Sequence, residues 1–340
     1  MHVAKNILLL FLAFLLTRGC DQSRFNFDVV IIPREVTNFS EVNSIYDDYN
    51  SVAPLNFTSD GFSLVFSSNR NSNGGNFDLV SYQCHIFSNQ VNASFDIWSD
   101  PMDYPFIANV NSAFNEWGPF MPADILHEIY YSGRDTDTDT GRLFFSSDRE
   151  GNQDIYFCYY ASSGESIPGE LPRGINGLNT EYEEGYLCLH TDSLVNYETC
   201  YFTSNRDGNF DIFRATGEAN IPIEISVTLT ISKIEILSGV ADDKCPYIIN
   251  NMMVFTSNRE GGQGGFDLWY SVYNNGSWST PENFGPGINT EYDEYRPMII
   301  PTRPELFLND LLIFSSDRPG GMGGFDLYYT GMIKRIQSPD

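Results

Sequence analysis

FTSNREGGQGGFDLWYSVY, residues 255–273, carries an arginine near its start, an aspartate between two apolar residues further on, and glycines between them. Nearly the same wording returns as FSSDRPGGMGGFDLYYTGM at 314–332. The arginine phrase occurs five times, as FSSNR, FSSDR, FTSNR, FTSNR and FSSDR, ending at Arg70, Arg149, Arg206, Arg259 and Arg318. Five to eight residues after each arginine comes an aspartate: Asp78, Asp154, Asp211, Asp267 and Asp326. Successive arginines are 79, 57, 53 and 59 residues apart, so the unit is near 50 residues and carries insertions. Self-similarity at that period signals a repeat architecture.

A second phrase precedes each arginine: NSIYDD (43–48), NSAFNE (111–116), NTEYEE (179–184), SGVADD (238–243) and NTEYDE (289–294). Its last position is always acidic, at Asp48, Glu116, Glu184, Asp243 and Glu294. Around these phrases lie short runs rich in aromatic and β-branched residues, bounded by Gly, Asn, Asp or Pro, which is the strand signal. The tract between Arg and Asp reads as a hairpin turn. No stretch beyond the N-terminus has helical periodicity. About three strands per unit, with a fourth before the next acidic phrase, make a blade. The expected fold is all-β: a β-propeller of five four-stranded blades. Six blades is the alternative, if a degenerate unit hides around EIYYSGRDTDTDTG (128–141), which otherwise reads as an enlarged hairpin in blade 2.

The segment FDVVIIP (27–33) precedes the first acidic phrase just as FDIWSDP (95–101) precedes the second, both pairs being offset by 68 residues. It is therefore an outer strand without a blade of its own, and is expected to pair with the last blade and close the ring. Closure removes exposed strand edges.

The 340 residues carry a formal charge of −26 with only 19 Lys plus Arg, so the basic footprint of a nucleic-acid binder is missing. Strong acidity suits cationic partners or calcium. MHVAKN followed by ILLLFLAFLL is too short for an ordinary span and fits a signal-peptide core. The run ends in LTRGC and resembles a bacterial lipoprotein signal, which implies cleavage after residue 19, a lipidated Cys20, a tether over 20–24, a propeller domain over 25–340 and a membrane anchor. Five further cysteines, Cys84, Cys158, Cys188, Cys200 and Cys245, are an odd number. Cys188 and Cys200 flank a hairpin turn and either face each other or are small buried residues.

With its turn and arginine phrase, TSDGFSLVFSSNR (58–70) resembles the WD40-like (PD40) repeat of TolB-type proteins, and the FSSNR…GGFDLY wording resembles lipoproteins of Bacteroidetes-type bacteria. The resemblance covers about residues 25–333. It implies a cell-envelope or outer-membrane lipoprotein whose propeller is a protein-binding scaffold.

Fivefold repetition points the same way. An active site needs one asymmetric constellation, so five copies of one arrangement read as architecture, each Arg tied to the Asp of its hairpin. The acid opening the innermost strand is a second acceptor for that arginine. On this reading the protein is not an enzyme. The alternative is a carbohydrate-binding module or a five-bladed glycoside hydrolase, with carboxylates drawn from Asp47, Glu183, Asp242 and Asp293, and Trp98, Trp117 or Trp278 stacking on sugar. No cofactor is expected. Asp135, Asp137 and Asp139 alternate as at the start of an EF-hand, but Thr140 stands where Gly is needed and Ser146 where Glu is needed. What remains is a solvated acidic loop or a looser calcium site.

Overall fold

The structure, a computed structural model, describes residues 30–53, 61–89, 94–122, 140–161, 163–192 and 197–333. It is a five-bladed β-propeller of antiparallel blades. After β1 (Thr37–Asn38), blade 1 comprises β2 (Asp48–Val52), β3 (Gly61–Ser68), β4 (Asp78–Asn89) and β5 (Ser94–Pro101). Blade 2 comprises β6 (Glu116–Phe120), β7 (Thr140–Ser147), β8 (Asp154–Ala161) and β9 (Arg173–Gly174). Blade 3 comprises β10 (Glu184–Asp192), β11 (Tyr197–Ser204), β12 (Asp211–Thr216) and β13 (Thr230–Lys233). In blade 4, β14 (Asp243–Ile249), β15 (Met252–Ser257) and β16 (Asp267–Asn274) are flanked by two short strands, β17 (Ser277–Trp278) and β18 (Glu282–Asn283), which both pair with β16. Blade 5 runs β19 (Glu294–Ile300), β20 (Asn309–Ser316), β21 (Asp326–Ile333), and β1 supplies its outer strand.

The N-terminus thus closes the ring on the last blade, with a shift in which residues do it. The ladder partners of Tyr329 and Tyr328 are Thr37 and Asn38. The stretch from Val30 to Pro33 instead threads the end of the same blade: Val30 N–H donates to Leu306 O (2.8 Å), and Ile32 and Asn309 exchange two bonds of 2.8 Å. Pro33 has no N–H to give a ladder, which moves the regular pairing beyond it.

Repetition in the sequence is repetition in the core. The Phe opening each arginine phrase (Phe66, Phe145, Phe202, Phe255, Phe314) is buried, as is the aliphatic residue after each hairpin Asp (Leu79, Ile155, Ile212, Leu268, Leu327). The glycine pairs serve close approach between blades. A Cβ on Gly323 would lie 1.9 Å from Tyr46 O of blade 1. The apolar segment 221–236 supplies β13 and buries Ile223, while Val227 stays exposed. Its Glu224 helps Glu198 hold the fully buried Arg142 of blade 2, at 3.3 and 2.6 Å. All five described cysteines are free and buried. Cys200 lies opposite Leu189 rather than Cys188, which is why no cross-strand bridge forms.

The arginine–aspartate tie within each hairpin does not form. Each guanidinium turns instead to the acid that opens its own blade's innermost strand: Arg70 to Asp48 (2.6 Å), Arg149 to Glu116 (2.8 Å), Arg206 to Glu184 (3.0 Å), Arg259 to Asp243, and Arg318 to Glu294 (2.8 Å). Its Nε donates to the second hydroxyl residue of the phrase, as from Arg318 to Ser316 Oγ (3.1 Å). Its Nη2 also donates to a carbonyl before the acidic phrase, as from Arg318 to Ile288 O (2.7 Å). Two rings sandwich each guanidinium with centroids 4.9–5.6 Å away, one from the phrase itself and one from the next strand. Charge, hydrogen bonds and cation–π attraction all favour this seat.

The hairpin aspartates organise their turns. Asp326 accepts from Met322 N (2.7 Å) and Gly323 N (3.2 Å), and Asp267 likewise from Gln263 N (2.5 Å) and Gly264 N (3.2 Å). Asp154 closes a shorter turn, and its Oδ1 is buried without a hydrogen-bond partner. Burial first, then the charges of Glu184 and Glu150, pushes its carboxyl from the ordinary 3.8 up to about 6. A folded-state pKa above the unfolded one means the native state holds the proton more tightly. Asp154 is therefore least costly below pH ~4, and stability is lost as pH rises toward ~6. Asp154→Asn should remove that slope and make the protein more heat-resistant than wild type at pH 7. Melting curves from pH 4 to 8 that stay parallel for the two proteins would refute the assignment.

Candidate functional site

The innermost strands meet around a central channel, and all five enter it in the same way. The residue two after the buried acid takes a left-handed backbone: Asn50 (φ 59°), Gly118 (54°), Tyr186 (55°), Cys245 (55°) and Arg296 (46°). Each marks a β-bulge in the pairing with the second strand. Only glycine takes this conformation without strain, so four side chains are held at a cost of roughly 1 kcal/mol or more each. Hydrogen bonds from the neighbouring blade hold them. The N–H of Asn50 donates to Ser315 Oγ (3.1 Å), Tyr186 to Ser146 Oγ (3.0 Å), Cys245 to Thr203 Oγ1 (3.0 Å) and Arg296 to Thr256 Oγ1 (3.1 Å). The two hydroxyl residues of the phrase therefore have different tasks: in four of the five phrases the first grips the next blade, Ser67 being the exception, and the second seats the arginine.

Between the buried acid and the bulge stands one residue per blade: Tyr49, Trp117, Gly185, Lys244 and Tyr295. Before each hairpin Asp stands another: Phe77, Gln153, Phe210, Phe266 and Phe325. Together they form a half-buried rim at the channel mouth. Tyr49 touches Phe77 and Phe325 at centroid distances of 5.1 and 5.7 Å, and Phe77 reaches Trp117 at 6.3 Å. Lys244 Nζ lies 3.8 Å from the Phe210 ring and 5.4 Å from Phe266, which packs on Tyr295 at 5.3 Å. The rim is broken at one place, between blades 2 and 3, where Gln153 and Gly185 replace two large side chains. A Cβ on Gly185 would fall 2.1 Å from Gln153 Nε2, so the amide takes the room that glycine leaves.

This notch and Lys244 supply the asymmetry that the repeat itself lacks. The signal was present in the sequence as NQD at 152–154, where other units read NFD or GFD, and as EGY, where others carry an aromatic or lysine in place of Gly185. Trp117 is part of the rim. Trp278 is buried in blade 4 and Trp98 stacks on His85 at 4.1 Å on the outside of blade 1, so neither faces the channel.

The residue before each buried acid knits blades together. Asp47 Oδ1 accepts from Phe325 N (3.0 Å), Asn115 Oδ1 from Phe77 N (3.0 Å), Asp242 Oδ1 from Phe210 N (3.0 Å) and Asp293 Oδ1 from Phe266 N (2.8 Å). Asp47 Oδ2 is also engaged, by Asn69 Nδ2 (3.4 Å). Asp242 and Asp293 each retain an oxygen with no hydrogen-bond partner among the described residues, and the exposed Glu183, at the notch, retains both. Burial chiefly, then Cys245, Tyr49 and the charges of Asp242 and Asp293, drives the Tyr295 phenol well above its ordinary range. Those two carboxylates thus act on the same ring from adjacent blades.

The repeat acids Asp48, Glu116, Glu184, Asp243 and Glu294 are wholly buried and serve their arginines, so they are not candidates for chemistry. Cys20, Asp135, Asp137 and Asp139 lie outside the described residues. Among the described residues no group of three or more His, Cys, Asp and Glu side chains is placed to hold a metal ion.

No protein-family model matches the chain, and no curated protein matches it by sequence. Its fold is similar to that of solved structures. One, a glycoside hydrolase, has a TM-score of 0.56 at 6% identity, covering 92% of this chain and 96% of its own. Another, a thermostable family-43 glycoside hydrolase, has a TM-score of 0.50 at 10% identity, covering 89% and 98%. At such identity the likeness establishes the fold. It nonetheless corrects two expectations. The TolB-type resemblance is overturned, because the similar structures are hydrolase propellers. The FSSNR wording encodes the seat of an arginine and the grip on the next blade, which is blade geometry. The non-catalytic scaffold falls with it. It rested on every polar repeat being architecture, whereas the mouth keeps carboxylate oxygens that the architecture does not use.

Proposed function

We propose that this protein is a glycoside hydrolase that binds its glycan across the aromatic mouth of the channel. The observation that carries the reading is the set of spare carboxylate oxygens on Asp242 and Asp293, on neighbouring blades around Tyr295, beside a rim of half-buried rings. Aromatic faces suit the apolar faces of sugar rings, and a few polar groups fix orientation. Gln153, Lys244 and Glu183 provide hydrogen-bonding groups for hydroxyls. Glycoside cleavage needs two carboxyl groups flanking the scissile bond, one protonating the leaving oxygen and the other serving as base or nucleophile. Asp242 and Asp293 are assigned to that pair.

The test is release of reducing sugar from a panel of plant and bacterial polysaccharides and aryl glycosides. Hydrolysis that survives in the double variant Asp242→Asn/Asp293→Asn would sink the assignment. Saturable glycan binding with no turnover of any member would support a carbohydrate-binding module in its place.

The site of action is proposed to be the cell envelope, with Cys20 as a lipidated N-terminus and no further metal or cofactor. Mass spectrometry of the protein from its native membranes should show an acylated cysteine as first residue. An unmodified cleaved N-terminus would end the anchor part of the proposal and leave the hydrolase part standing.

A further inference from the structure

Below the aromatic rim Arg296 reaches across the channel. Arg296 belongs to blade 5, whose neighbours in the ring are blades 4 and 1. Its Nη2 nevertheless donates to Pro119 O of blade 2 at 3.1 Å, with Gly118 O at 3.5 Å, and its guanidinium lies 5.7 Å from the ring of Tyr186 in blade 3. Arg296 is 1% exposed, and its Nε and Nη1 have no hydrogen-bond partner.

A buried guanidinium without a counter-charge is costly, and among the described residues the half-buried repeat arginines and Arg142 avoid the situation. The five repeat arginines each face a buried acid. Arg142, the other fully buried arginine, faces two glutamates. No ion pair of Arg296 exists among the described residues. The side chains around it do not supply a negative charge either. Burial pushes the Cys245 thiol up to about 12 even though Arg296 pulls it down, and burial also raises the phenols of Tyr186 and Tyr247. At the equivalent bulge of the adjacent blade, the side-chain amide of Asn50 is fully buried with its oxygen and nitrogen both unpaired. Two polar groups at the same level of the channel thus lack partners.

We propose that the floor of the funnel binds a small monovalent anion, chloride or a carboxylate, against Nε and Nη1 of Arg296. Such a ligand supplies the missing counter-charge and gives the strained bulge at Arg296 a reason to be kept. A free ion would occupy the floor in the resting protein. A carboxylate would arrive as part of a bound acidic sugar, which rests on the hydrolase reading above.

The experiment uses the intact mature protein. Its melting temperature is measured at constant ionic strength while chloride or bromide replaces methanesulfonate, and then with acetate and galacturonate. A saturable rise of a few degrees in chloride and bromide, absent in Arg296→Met, is the expected result. Bromide-soaked wild-type crystals should show an anomalous peak within hydrogen-bond distance of Nε and Nη1, which decides the matter even if Arg296→Met does not fold. Galacturonate that stabilises further and displaces bromide identifies a ligand carboxylate as the occupant; no such competition identifies the free ion. Equal melting in all salts with no anomalous peak overturns the proposal. That outcome leaves the hydrolase assignment untouched, just as inactive Asp242 and Asp293 carboxylates would leave the anion site untouched.

Discussion

Asp293→Asn is expected to lower glycan hydrolysis by roughly 10²–10⁴-fold while leaving the melting temperature nearly unchanged. The separation of the two effects follows from how the carboxylate is used. Asp293 Oδ1 accepts the N–H of Phe266 from blade 4 at 2.8 Å, and an asparagine oxygen keeps that bond. What asparagine removes is the second oxygen, which has no partner among the described residues and which alone can exchange a proton with substrate. The same holds for Asp242, whose Oδ1 holds Phe210 N at 3.0 Å. Each change should depress kcat more than it raises KM, because the loss is of chemistry and not of the aromatic platform. Alanine at either position should cost stability as well, since it also abandons a blade-to-blade bond. An Asp293→Asn protein that keeps wild-type kcat on every hydrolysed substrate would remove this residue from the mechanism.

The second large effect is on stability. Arg318→Ala should destabilise the protein by about 3–5 kcal/mol, because it strands the carboxylate of Glu294 in a wholly buried position. Thr290 and Ser316 still donate to that carboxylate, but hydroxyl groups do not replace a charge. Burial already raises the Glu294 carboxyl against the pull of Thr290 and Arg318. In the variant it should take up a proton at higher pH still, so the loss of stability should shrink as pH falls. Glu294→Gln combined with Arg318→Ala should be less harmful than the sum of the two, with a coupling of roughly 0.5–3 kcal/mol. Arg318 and Asp326, by contrast, share no bond, and their variants should add. Urea unfolding of both double-mutant cycles distinguishes these cases; additivity at Arg318–Glu294 would mean that the pair is not what seats the blade.

Much of this architecture is legible in the sequence. The five arginine phrases, the five acids and the period between them defined the blades, because a blade is a local object whose strands and turns lie within one unit. Ring closure by the N-terminus was legible from the equal offset of FDVVIIP and FDIWSDP, although the regular pairing fell a few residues later, past Pro33. The role of the hairpin aspartates differs from the expectation. Opposite charges near in sequence suggested a tie, yet Asp326 points into its own turn while Arg318 reaches back 24 residues to Glu294.

The candidate site was less legible, for a physical reason. A repeat announces what every blade shares, whereas a site is made of what the blades do not share, brought together only when the ring closes. Tyr49, Gln153, Gly185, Lys244 and Tyr295 come from five different blades, and although each holds a repeat position, only the closed ring brings them to one mouth. Arg296 is the extreme case. In the sequence it is one residue of EYRP, two positions after a repeat acid. Only the closed ring carries its guanidinium across the channel to the backbone of blade 2 and leaves two of its donors without a partner. The sequence by itself determined the number of blades, their order and the residues that build each one, since these depend on contacts within a unit. The tertiary structure decided which carboxylates keep a spare oxygen and which charge lies buried alone, since these depend on contacts between units far apart in the chain.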